Sequence, residues 1–136
     1  MIRWSLPVPQ IKLKVETYIN PSESAEKIIS AINNIINKCS IDLRHGDRVV
    51  GRSSESETLG TIYEQIRSRA AMGVLRKILL NNRNAHTTWF FLNKQAASAG
   101  VVVVIEDEQE SPLGPIKVTI NCEELDRFID WLVPAE

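Results

Sequence analysis

Ile11-Lys12-Leu13-Lys14-Val15-Glu16-Thr17-Tyr18-Ile19 begins as strict alternation, with Ile11, Leu13 and Val15 on one side and Lys12, Lys14 and Glu16 on the other. A period of two is the signature of a strand with one buried face. Asn20-Pro21-Ser22-Glu23 follows, and from there the apolar residues Ala25, Ile28, Ile29, Ile32, Ile35 and Ile36 recur at helical spacing. Asn20 is suited to cap that helix, Pro21 to open it, and Glu23 to complete a capping box. The change of period within a few residues predicts a strand feeding a helix, both offering an apolar face to a shared core.

Ile41 to Arg52 reads as a strand pair or bulged strand broken by His45-Gly46-Asp47. Between Leu59 and Asn82 the helical pattern changes phase. Leu59, Ile62, Tyr63 and Ile66 share one side of a helical wheel, whereas Ala71, Met72, Leu75, Ile78 and Leu79 fall nearly opposite. One straight helix cannot bury both sets, so two helices with a break near residues 68–72 are expected. Thr87 to Leu92 and Val101 to Ile105 read as strands, with residues 93–100 forming a short connection that has room for one helical turn. Glu106 to Glu110 is a solvated acidic turn, and Ser111-Pro112-Leu113-Gly114-Pro115 carries turn chemistry. Ile116 to Ile120 is then a hairpin partner, and a final helix capped by Asn121 buries Leu125, Phe128, Ile129 and Leu132. The order β-α-β-α-α-β-β-β-α predicts an α+β fold: a single domain over residues 10–136, with a mostly antiparallel sheet and helices on one face. Met1 to Pro9, with two prolines, reads as an irregular arm.

The 136 residues carry sixteen Lys+Arg against seventeen Asp+Glu, which excludes a uniformly basic nucleic-acid coat. That near-neutral total hides a gradient: residues 1–86 sum to +5 and residues 87–136 to −6. No apolar run reaches the roughly 18 residues of a membrane-spanning helix, so no membrane partner is expected. Cys39 and Cys122 lack metal-site spacing and read as reduced thiols of a cytoplasmic protein. No nucleophile elbow, phosphate loop or zinc helix is present, so the expectation is a non-enzyme without metal or cofactor. The cations are the better candidates. Arg69, Arg76, Lys77 and Arg83 surround the second of the two central helices, while Arg44, Arg48 and Arg52 share a face if their backbone is extended. Such groups can contact phosphates, and they can equally be a solvated surface. Trp89, Phe90 and Phe91 resemble stacking aromatics, but their consecutive placement reads as core.

Phe91-Leu92-Asn93-Lys94-Gln95-Ala96-Ala97, then Gly100-Val101, then Ser111-Pro112-Leu113-Gly114-Pro115-Ile116, resembles a family of small archaeal proteins grouped with predicted RNA-binding proteins. That family is distantly similar to an exosome-associated subunit. The resemblance covers about residues 10–133. It implies a fold like the double-stranded-RNA-binding domain or a large-subunit ribosomal protein, and RNA as the partner. Within the motif, packing accounts for Ala96, Ala97, Gly100 and the turn residues. Asn93, Lys94 and Gln95 stand between apolar strands, either as ligand contacts or as a polar cap for the following turn. The expectation is therefore an RNA-binding protein using Asn93, Lys94, Gln95, Arg69, Arg76, Lys77, Arg83, Arg44 and Arg48 on phosphates and 2′-hydroxyls. The competing expectation is an assembly module, a homodimer built on the apolar strands 89–92 and 101–105.

Overall fold

In the computed structural model, residues 11–68 and 70–135 are described, so the N-terminal arm and Arg69 lie outside the described residues. Strand β1 (Ile11–Tyr18) is the third strand of a six-stranded sheet. It pairs antiparallel with β3 (Arg48–Ser53) on one side and β6 (Ile116–Cys122) on the other. Strand β2 (Ser40–Arg44) forms one edge against β3, and β4 (Thr87–Leu92) with the two-residue β5 (Val104–Ile105) forms the other. The spatial order is β2-β3-β1-β6-β4-β5, antiparallel throughout.

One sheet face is the floor of the core. Ile11, Leu13 and Val15 of β1 join Val49, Phe90, Leu92, Ile116, Val118 and Ile120 in one cluster with the apolar sides of the helices. Helix α1 (Ala25–Ile35) contributes Ile28, Ala31, Ile32 and Ile35, and α5 (Leu125–Leu132) contributes Leu125, Phe128, Ile129 and Leu132. The phase change predicted near residue 70 separates α2 (Gly60–Ser68) from α3 (Met72–Asn81). Ala70 adopts φ +56°, and the Ala71 amide donates to the Ile66 carbonyl at 3.0 Å. That is a Schellman-type ending, which lets α2 and α3 each turn its own apolar side inward.

Four local expectations are corrected. Helix α1 begins at Ala25 rather than after Asn20, because the Glu23 carboxylate folds back to accept from both nitrogens of Asn20 at 2.9 and 2.7 Å, making a turn. Val101 to Val103 do not extend β5. The Gln65 side chain takes the Gly100 carbonyl and the Val102 amide, each at 2.8 Å, so this segment is tied to α2. Strand β6 is not a hairpin partner of β5; it lies between β1 and β4. Asn121 is a residue of β6 whose side chain donates to the Thr87 hydroxyl at 3.0 Å, and α5 starts after Glu124.

Candidate nucleic-acid interface

The strand registers place specific side chains on the sheet face opposite the core. Lys12, Lys14, Glu16 and Tyr18 alternate with the buried residues of β1. Across the pairings, Lys14 stands opposite Arg52 and Tyr18 opposite Arg48, while Arg44 of β2 stands opposite Arg48. On the far side, Glu16 meets Lys117, which meets Phe91, and Thr119 meets Trp89. The face thus gathers Lys12, Lys14, Arg44, Arg48, Arg52 and Lys117 against two carboxylates, Asp42 and Glu16. Its ion pairs are long: Glu16 to Lys14 at 3.4 Å and to Arg48 at 3.7 Å, and Asp42 to Arg44 at 3.9 Å. Arg52 is exposed and makes no ion pair among the described residues. Beside this basic half lies an aromatic one. Trp89 and Phe91 are half-buried with ring centroids 4.9 Å apart, Lys117 Nζ sits 4.9 Å from the Trp89 ring, and Tyr18 is 63% exposed.

The expected core role of the three consecutive aromatics is therefore half right. Phe90 is in the core, whereas Trp89 and Phe91 point to the opposite face, as strand alternation requires. The same alternation was visible in the lysines of residues 11–16, a signal that marks Lys12 and Lys14 as facing away from the core.

The helix-side cations have other employment. Arg76 donates to Asp130 at 2.8 Å and to the Val133 carbonyl at 2.9 Å, and Arg67 donates to the Leu132 and Trp131 carbonyls. Both arginines cap the C-terminal end of α5, where unpaired carbonyls attract positive charge. Arg83 grips the Asp126 carboxylate at the other end of α5, which raises the guanidinium pKa through the hydrogen bond and lowers that of Asp126. Arg76 of α3 and Arg83, two residues past the end of α3, thus staple this part of the chain to α5, set apart from the basic sheet face. Lys77 is exposed and borders a cavity at the β4 edge.

The motif residues Asn93, Lys94 and Gln95 form a structural node. Asn93 caps α4 (Lys94–Ser98) by accepting from the Ala96 amide at 2.9 Å. Lys94 is 2% exposed, so the expectation that it meets phosphate is corrected. Its ammonium donates to the Tyr18 and Leu113 carbonyls, each at 2.8 Å, and to both oxygens of Glu23 at 3.1 and 3.4 Å. Burial raises the Glu23 pKa, but hydrogen bonds from Asn20 and Lys94 outweigh it and hold the carboxyl below its ordinary value. Gln95 is exposed and accepts from the Ser111 hydroxyl at 3.2 Å. Asn20 and Lys94 both end on the Leu113 carbonyl. The two parts of the motif occur together because the first ties down the turn made by the second.

Residues 12–122 match a family model described as RNA binding. A UPF0201 protein of Sulfurisphaera tokodaii is 35% identical over 126 residues, 90% of this chain and 87% of that protein. One from Methanothermobacter thermautotrophicus is 34% identical over 123 residues, 90% and 91% of the two chains. The crystal structure of a UPF0201 protein superposes with a TM-score of 0.78 at 28% identity, covering 91% of this chain and 94% of the other. That of the UPF0201 protein from Methanococcus jannaschii gives the same score at 24% identity, covering 92% and 94%. The anticipated family is thus the right one: this chain belongs to the family whose model is described as RNA binding, with archaeal UPF0201 proteins among its relatives.

Proposed function

We propose that the protein is a non-enzymatic binder of structured RNA and that it does so through the open sheet face. Strands β2, β3 and β1 take phosphates and 2′-hydroxyls with Arg44, Arg48, Arg52, Lys12 and Lys14, and the aromatic half accepts unpaired bases. One observation carries this reading. Arg44 and Arg48 stand directly opposite each other, and so do Lys14 and Arg52. Like charges opposed across a strand pair destabilise the sheet. Glu16 and Asp42 offset them only through pairs of 3.4 to 3.9 Å, and Arg52 has no ion pair among the described residues, so the fold leaves repulsion on this face. An incoming phosphate backbone accounts for it, since each phosphate would relieve the repulsion it neutralises.

The test uses Arg52→Glu, which turns the opposed pair with Lys14 into an attractive one. Stability should rise slightly, by about 0.2–1 kcal/mol, while affinity for a structured RNA falls about tenfold or more at 0.1 M salt. For the native protein, log K should fall with log salt with a slope of about −3.6, as expected if roughly four phosphates of a duplex are held. Affinity unchanged in Arg52→Glu, or independent of salt, sinks the reading. Self-association has one supporting feature, the β2 edge, which pairs only with β3 among the described residues and carries Leu43 at 50% exposure. Sedimentation as a monomer at micromolar concentration removes it.

A further inference from the structure

Strand β5 covers only Phe91 and Leu92, so the edge of β4 is uncovered at Trp89. There the Asn82 side chain donates to the Trp89 carbonyl at 2.9 Å, taking the place of a neighbouring strand. A cavity of about 260 Å³ opens between the end of α3 and this edge. Trp89 and Phe91 form an aromatic wall, with Ile78 and Ile105 as apolar lining. Lys77, Asn81 and Glu106 stand at the rim, all exposed, and none of their side chains makes a hydrogen bond or ion pair to the described residues; at Glu106 it is the backbone amide that donates, to the Glu110 carboxylate at 3.2 Å.

We propose that this cavity is a pocket for one unpaired guanine base, an inference that rests on the RNA reading above and gives it sequence preference. Its volume is just below the roughly 300 Å³ lower bound of sites for drug-sized ligands, which suits a single base. The aromatic wall offers stacking, which every base accepts alike. Selection falls to the polar rim. The Glu106 carboxylate can accept two parallel hydrogen bonds from N1–H and N2–H of guanine. Adenine and cytosine offer one amino donor beside a ring acceptor that the carboxylate repels, and uracil offers one imide N–H between two carbonyls. Asn82 has committed its amino group to Trp89, which leaves its carbonyl as a further acceptor. Lys77 and Asn81 supply donors for the guanine O6 or the attached phosphate. A buried carboxylate would cost too much to desolvate, but Glu106 at an open rim is free to pair.

Two measurements test this. Nuclear magnetic resonance titration of the full chain with the four ribonucleoside monophosphates should shift the Trp89 indole and the Asn81 and Asn82 side-chain amides. Guanosine monophosphate should act at about tenfold lower concentration than the others. Glu106→Gln, a substitution in an exposed turn, should abolish that difference. Equal responses to the four nucleotides, or a preference that survives Glu106→Gln, overturn the pocket. In parallel, RNA hairpins with a single bulged guanine or uridine are titrated. Arg52→Glu should weaken both about equally, and Glu106→Gln only the bulged-guanine hairpin. Salt-dependent hairpin binding without any nucleotide preference defeats the pocket and leaves the sheet-face reading intact. A guanosine preference with hairpin binding indifferent to Arg52→Glu supports the pocket and defeats the sheet-face reading.

Discussion

Replacing Lys94 by Met separates a structural role from a ligand-binding one. The side-chain volume is kept, but an ammonium with four acceptors is removed from a site where it is 3% and Glu23 is 11% exposed by side chain. Breaking a buried ion pair by deleting one partner typically costs about 3–5 kcal/mol. Here the loss falls at the lower end, because Glu23 keeps its bonds from Asn20 and the Leu113 carbonyl keeps the Asn20 amide at 2.7 Å. The Tyr18 carbonyl loses its Lys94 donor. About 3 kcal/mol is expected, which for a domain of this length lowers Tm by roughly 10 °C. Calorimetry and denaturant titration read this directly. RNA affinity measured at a temperature where the variant is folded should stay within about twofold, since 1.4 kcal/mol would be tenfold. Lys94→Met with Glu23→Leu should recover much of the loss, because an uncompensated charge no longer remains.

The pH dependence carries the same argument. Glu23 has a folded-state pKa below its ordinary 4.5, so the stability it contributes is complete above that value and drains as pH falls through the lower folded value. In Lys94→Met one of the lowering influences on Glu23 is gone, so the acid limb attributable to this group becomes shallower. A variant as stable as the native protein but with RNA affinity reduced tenfold would refute the structural assignment and return Lys94 to the ligand.

Further outcomes follow from other parts of the fold. At Gly51 a Cβ would lie 2.6 Å from the Cys39 Sγ, so Gly51→Ala should lose about 1–3 kcal/mol in denaturant titration, with partial recovery on adding Cys39→Ala. Ala70 holds φ +56° at the end of α2, and Ala70→Gly should raise stability by about 0.5–1 kcal/mol. Burial raises the pKa of both thiols, so Cys39 and Cys122 should react slowly with a thiol reagent at pH 8 in the native protein and rapidly in denaturant. Arg83→Ala should leave RNA affinity unchanged in a filter-binding titration, because its partner is Asp126 of α5.

Period and phase carried most of the architecture. The alternation of residues 11–16 and the opposed apolar sets of residues 59–79 depend on local geometry alone, so the strand, the helices and the break between α2 and α3 were legible. What sequence order could not convey was which strands become neighbours. Val101 to Val103 have stronger strand composition than β5 itself, yet the Gln65 side chain of α2 takes the Gly100 carbonyl and the Val102 amide, and the Val101 amide turns back to Ala96. The same limit governed the candidate site. Lys94 reads as a cation between apolar strands, and only the approach of Glu23 and of the turn at Leu113, 71 and 19 residues away in sequence, makes it a core group. Arg44, Arg48 and Arg52 were recognisable as one face, but Lys12, Lys14, Lys117 and Trp89 join them only through the registers of β1 with β3 and β6, and of β6 with β4.

That register also resolves what the charge gradient means. A +5 first segment and a −6 second segment would cancel locally if their strands simply alternated, and β6 does enter between β1 and β4. The cancellation fails because β6 offers Lys117 and Thr119 to the open face, while Asp126, Asp130 and the acids of residues 106–110 lie elsewhere. Asp126 and Asp130 sit on α5, where they hold Arg83 and Arg76. Glu106 to Glu110 form an exposed turn beyond β5, at the end of the sheet farthest from Arg44. The result is a sheet face whose potential runs from positive at β2, β3 and β1 to negative past β5. A polyanion approaching that face is drawn to the basic end and repelled at the acidic one. In the proposed reading the bulk of its phosphates would lie over β1 to β3, which leaves the place against Trp89, beside Glu106, to a base rather than to the backbone.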